Sequence, residues 1–64
     1  MNVPQLVSAV VKHALAQHED SVWSIVVDGL RRDEIATIIT KAGARTPRAA
    51  IRAVASTLRQ PVAA

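Results

Sequence analysis

The chemistry in this sequence lies mostly in its arginines. Arg45, Arg48, Arg52 and Arg59 stand three, four and seven residues apart. On a helix turning about 100° per residue, Arg48, Arg52 and Arg59 fall within about 40° of one another. Arg45 extends the stripe from the preceding turn. A guanidinium is a planar fork of donors that suits phosphate oxygens and base edges better than a lysine ammonium does. Six of the seven basic residues between positions 29 and 64 are Arg, the seventh being Lys41. A stripe of this kind suits a polyanion or an acidic patch on a protein, and a simply solvated helix face has the same appearance.

The other reactive side chains carry less. His13 and His18 are five residues apart, about 140° around a helix, which does not suit shared chelation of one metal. Asp33 and Glu34 are adjacent and fit the opening turn of a helix. With only Gly29 and Gly43 there is no glycine-rich phosphate loop. Ser56 and Thr57 have no histidine near them in sequence. Cys, Phe and Tyr are absent, which removes disulfides, thiolate metal sites, cysteine nucleophiles and tyrosine chemistry. The expectation is a non-enzymatic protein without metal or cofactor. Trp23 is the one aromatic side chain. It reads as a core or interface residue, and tryptophan is enriched at interface hot spots. A single ring does not make the multi-aromatic platform that stacks on single strands.

Charge is divided unevenly. Residues 1–28 hold Lys12 against Glu19, Asp20 and Asp28, a balance of −2. Residues 29–64 hold six Arg and Lys41 against Asp33 and Glu34, a balance of +5 within the overall +3. The positive field belongs to the second half.

The elements that must position these groups are helical. From about Pro4 to His18, Leu6, Val7, Val10, Val11, Ala14 and Leu15 recur at helical spacing. Residues 21–28 read as a short helix capped by Asp20 or Ser21 and ended by Gly29. Their β-branched content leaves a strand as the alternative for 21–27. From 32 to 42, Ile35, Ile38, Ile39 and Ala42 form an apolar stripe with acids in the first turn and Lys41 in the last, and Gly43 is the expected stop. Thr46-Pro47 reads as an N-cap followed by proline at the first helical position. The fourth helix then runs from 47 to 59 through Ile51, Val54 and Leu58, and residues 60–64 form a tail. The expected fold is all-α, a single small bundle of four short helices around an aliphatic core.

With 64 residues the chain has room for one small domain, and a domain near this size buries a modest share of its surface. Half of the residues are hydrophobic and the mean hydropathy is +0.22. That apolar surplus leads to the expectation of a homodimer or another protein contact, with Leu6, Val10, Trp23 and Val26 as the interface. No run approaches the roughly 20 apolar residues of a membrane span, and no basic segment precedes an apolar core at the start. A cytoplasmic protein without membrane contact is expected.

Residues 31–59, with Glu34-Ile35-Ala36 opening the first helix of the pair and 47–59 forming the second, resemble helix-turn-helix DNA-binding domains. Thr40 stands where compact members carry glycine, and Gly43 comes three residues later, so the turn here is longer. The resemblance implies that the 47–59 helix leads with its N-terminal residues into a major groove. Together with the arginine stripe it points to a small regulator or accessory protein that binds double-stranded DNA. The leading positions would be Arg45, Thr46, Arg48 and Arg52, with Arg48 and Arg52 reading bases or phosphates while Lys41, Arg45 and Arg59 position the chain on phosphates. The alternative is a protein-binding module, such as a small phage- or plasmid-type inhibitor or adaptor. It would use Trp23 and the apolar surplus against an acidic partner. A ribbon–helix–helix arrangement would require Val22–Val27 to be a strand, and it offers mainly Ser24 as a polar face.

Overall fold

The computed structural model describes residues 2–17 and 19–59. They form four α-helices: α1 (Val3–Ala16), α2 (Ser21–Gly29), α3 (Arg32–Ala42) and α4 (Pro47–Arg59). The described residues contain no strand. The expected tail 60–64 and His18 lie outside them.

Each helix begins on a local device. At α1 the Gln5 N–H donates to Asn2 Oδ1 and the Asn2 N–H donates to Gln5 Oε1, both at 3.0 Å. This reciprocal box satisfies two donors that a helix start leaves open. It also moves the start to Val3, with Pro4 in the first turn where its missing N–H has no role. At α2, Asp20 Oδ1 accepts the Val22 N–H at 2.9 Å. That cap, and the burial of Val22, Trp23 and Val26 along one side, resolve the ambiguous segment as helix. Tertiary packing of an apolar face outweighs β-propensity here.

The two glycines differ. Gly43 has φ 67°, in the left-handed region, and the chain closes there with Gly43 N–H to Thr40 O at 3.1 Å and Ala44 N–H to Ile39 O at 3.2 Å. This is the paired closure that left-handed residues permit after a helix. Gly29 does not end α2 in that way, contrary to expectation. It is the last helical residue, and Leu30 turns the chain by adopting extended geometry, half-buried against the core.

The interior is built by all four helices. α1 contributes Leu6, Val7, Val10 and Ala14, α2 contributes Val22, Trp23 and Val26, α3 contributes Ile35 and Ile39, and α4 contributes Ala50 and Val54. α1 packs against each of the other three, and α4 also packs against α3 and α2. In α4 the buried line is centred on Ala50 and Val54, with Ile51 and Leu58 half-buried at its edge. The α4 backbone therefore meets the core through a methyl and a valine.

This interior corrects the expected partner interface. Leu6 is 1% exposed, Val10 0%, Trp23 5% and Val26 2%. The apolar sides of α1 and α2 are consumed by α3 and α4 of the same chain, so these four residues offer nothing to a second molecule. Among the described residues, the large hydrophobic side chains left exposed are Leu15, Ile25 and Val27.

Candidate nucleic-acid interface

The site is set by how α4 is held. Thr46 Oγ1 accepts the Ala49 N–H at 3.2 Å, the Thr46 carbonyl accepts the Ala50 N–H at 2.9 Å, and Pro47 is the first helical residue. A threonine cap of this kind stabilises a helix start by about 1 kcal/mol. With Ala50 and Val54 facing inward, Arg48, Ala49, Arg52 and Ser56 face solvent. Thirteen residues make α4 about 20 Å long at roughly 1.5 Å per residue.

Two shallow concavities lie on this outer side. One, of about 540 Å³, runs from the Gly43–Thr46 turn along Ala49, Arg52 and Ser56. The other, of about 300 Å³, is lined by Thr46, Arg48, Ala49 and Arg52. Thr46, Ala49 and Arg52 belong to both. Arg45 borders only the first and Arg48 only the second. Arg52 is therefore the arginine common to both concavities, beside the short side chains of Ala49 and, in the first, Ala53 and Ser56.

The electrostatics of this face are one-signed. α4 contains no acidic residue. Among the described residues, Arg45, Arg48 and Arg52 have no hydrogen-bond or ion-pair partner for their side chains. Arg59 differs: its Nη2 lies 2.9 Å from Asp20 Oδ2, which engages the far end of the stripe within the molecule. Lys41 is exposed in the last turn of α3 and lines neither concavity. Of the six residues expected at this surface, the structure brings Arg45, Thr46, Arg48 and Arg52 together. Arg59 is held to Asp20, and Lys41 stands apart.

The remaining candidates are placed elsewhere. His13 and Trp23 meet edge to face, with ring centroids 4.8 Å apart and planes at 79°, a favoured geometry for packed rings. Among the described residues there is no group of three or more His, Asp or Glu side chains placed to hold a metal ion, and no helix is long and apolar enough to cross a membrane. A separate apolar notch of about 220 Å³ lies between the first turns of α1 and α3, bordered by Arg32. Arg32 Nη2 donates there to Ser8 Oγ at 2.7 Å.

No family model, curated protein or solved structure matches this chain. The functional reading rests on the arrangement of its own residues.

Sequence reasoning missed three features of this arrangement. The Asp20–Arg59 and Arg32–Ser8 contacts join residues 39 and 24 positions apart, and no local pattern signals them. The Asn2–Gln5 box did have a signal, an Asn followed three residues later by Gln before an apolar run.

Proposed function

We propose that this chain is a small protein that binds double-stranded DNA, as a regulator or accessory factor, through α4 and the turn that precedes it. One observation carries the reading: Arg45, Arg48 and Arg52 line two shallow concavities that share Thr46, Ala49 and Arg52, and neither lining contains a carboxylate. Charge complementarity favours a polyanion there, and arginine forks suit both phosphate oxygens and base edges. Absence of an exposed aromatic favours a duplex over a single strand, since single strands are held by stacking on several rings. Trp23, 5% exposed, belongs to the core, which removes the support for a partner site built on it. The reading is one of binding and requires no catalytic group. Among the described residues, Leu15, Ile25 and Val27 are the exposed large hydrophobic side chains that a second copy of the chain would meet.

The test is an anisotropy titration of a labelled random-sequence duplex at two salt concentrations. Two or three phosphate contacts at about 0.9 each predict a log–log salt slope of about −1.8 to −2.7. Arg48→Glu combined with Arg52→Glu abolishes binding and leaves the helical circular dichroism unchanged, because both side chains are exposed. If the wild-type chain fails to bind at about 50 mM salt, where electrostatic attraction is strong, the DNA reading is wrong. Retention of an acidic protein by the same face would then replace it.

A further inference from the structure

The notch between the first turns of α1 and α3 lies at the opposite end of α3 from the Gly43–Thr46 turn. Its volume is about 220 Å³, below the roughly 300–1,000 Å³ of sites for drug-sized molecules. Val3, Pro4, Val7 and Ala36 make the lining apolar, and water against such a lining is readily displaced by an apolar group. The other two lining residues carry opposite charges, Arg32 and Asp33. Arg32 reaches from α3 to α1, where its Nη2 donates to Ser8 Oγ at 2.7 Å. That bond fixes the guanidinium beside Val7 and leaves most of its donors open. Asp33 Oδ1 accepts the Glu34 N–H at 3.0 Å, which leaves Oδ2 open. Among the described residues the one ion pair is Arg59 with Asp20, so Arg32 and Asp33 do not neutralise each other by contact.

We propose that this notch binds a free aliphatic α-amino acid of about leucine size. Its side chain enters between Val3, Pro4, Val7 and Ala36, its carboxylate meets the Arg32 guanidinium, and its ammonium meets the Asp33 carboxylate. Charge complementarity selects this ligand. A simple carboxylic acid engages Arg32 but faces Asp33 as a like charge, and a simple amine has the converse difficulty. A zwitterion satisfies both, and its two charged groups branch from one carbon, as Arg32 and Asp33 stand at adjacent positions of α3. Arginine holds a carboxylate through paired N–H donors, which orients the ligand as well as attracting it. The inference is independent of the DNA-binding reading and involves none of the residues on the outer side of α4.

The experiment titrates leucine into the full isotope-labelled chain and follows the methyl resonances of Val3, Val7 and Ala36. They shift together and saturate with a dissociation constant of about 1 mM, as a small ligand on an open site permits. The unfolding midpoint rises in excess leucine. Three analogues each remove one part of the ligand: glycine the side chain, 4-methylpentanoate the ammonium and 3-methylbutylamine the carboxylate. Each binds about tenfold more weakly. Arg32→Ala weakens leucine by a similar factor and leaves 3-methylbutylamine unchanged, while Asp33→Asn weakens leucine without weakening 4-methylpentanoate. Both side chains are exposed, and unfolding curves without ligand confirm that these variants fold. Ala36→Leu fills the notch and abolishes binding. The proposal is overturned if leucine up to about 20 mM gives no saturable shift and no rise in midpoint. It is overturned equally if 4-methylpentanoate or 3-methylbutylamine binds as tightly as leucine, or if leucine binding survives Arg32→Ala and Asp33→Asn undiminished.

Discussion

Asp20 bonds two elements at once: its Oδ1 accepts the Val22 N–H at 2.9 Å and its Oδ2 accepts Arg59 Nη2 at 2.9 Å. One carboxylate both caps α2 and fastens the last turn of α4. The two functions have different energetic weight. A lost cap costs about 1 kcal/mol, while an exposed ion pair contributes about 0.2–1 kcal/mol because water and salt screen it. Asp20→Ala is therefore expected to lower unfolding free energy by about 1–2 kcal/mol. Arg59→Ala is expected to lower it by a few tenths, measured by urea denaturation followed by circular dichroism.

The same bond separates Arg59 from the other arginines in function. Arg59→Ala leaves duplex affinity within about twofold, whereas Arg45→Ala and Arg48→Ala each make the salt slope shallower by about 0.9. A titration series at several salt concentrations distinguishes them. An Arg59→Ala loss as large as that of Arg48→Ala would show that Asp20 releases Arg59 to the ligand.

The two glycines respond to alanine with opposite signs. At Gly43 a Cβ meets nothing within 4 Å, but φ is +67°, so Gly43→Ala costs about 1 kcal/mol of backbone strain without any clash. At Gly29 the backbone is helical and a Cβ stands 3.9 Å from Ile25 Cγ2, an ordinary contact. Gly29→Ala stabilises by about 0.4–1 kcal/mol, chiefly by restricting the unfolded chain. Thermal unfolding of the two variants checks the pair of signs.

Two isoleucines supply a further contrast. Ile39 is fully buried and Ile25 is 48% exposed. Ile39→Ala leaves a cavity among four helices and costs about 2–5 kcal/mol, enough to unfold much of a domain whose total stability is about 3–10 kcal/mol on a per-residue scale. Ile25→Ser changes stability by about 0.5 kcal/mol or less. Chemical denaturation measures both.

Since Leu6, Val10, Trp23 and Val26 close the interior of one chain, folding through them requires no second copy. The unfolding midpoint is expected to stay constant across a hundredfold range of protein concentration. A midpoint that rises with concentration would show association, and loss of that rise in Ile25→Ser would assign it to the exposed apolar side chains.

The helical pattern was readable because three of the four helices announce themselves through apolar spacing and a terminal signal. Thr46-Pro47 and Gly43 are local features whose chemistry acts within one turn. The segment at 21–27 was ambiguous for a physical reason: Val22, Val26 and Val27 favour strands in isolation, and only the core formed with α1 and α4 decides otherwise. The partner interface was misread because a stripe of leucine and valine shows that a face is buried and not whether the same chain buries it. The stripe of arginines was visible from spacing alone. Its division into an Arg59 paired with Asp20 and three arginines that line the concavities depends on where the Gly43–Thr46 turn and Asp20 arrive in space.

The lone indole of Trp23, packed against His13 and 5% exposed, makes the chain its own optical gauge. Every photon of tryptophan emission originates in the interior, so the spectrum follows the integrity of the core and moves to longer wavelength when water enters. A ligand seated on the outer side of α4 leaves that emission in place, and a ligand that shifts it has rearranged the bundle. One cuvette therefore separates surface docking from remodelling without any attached dye.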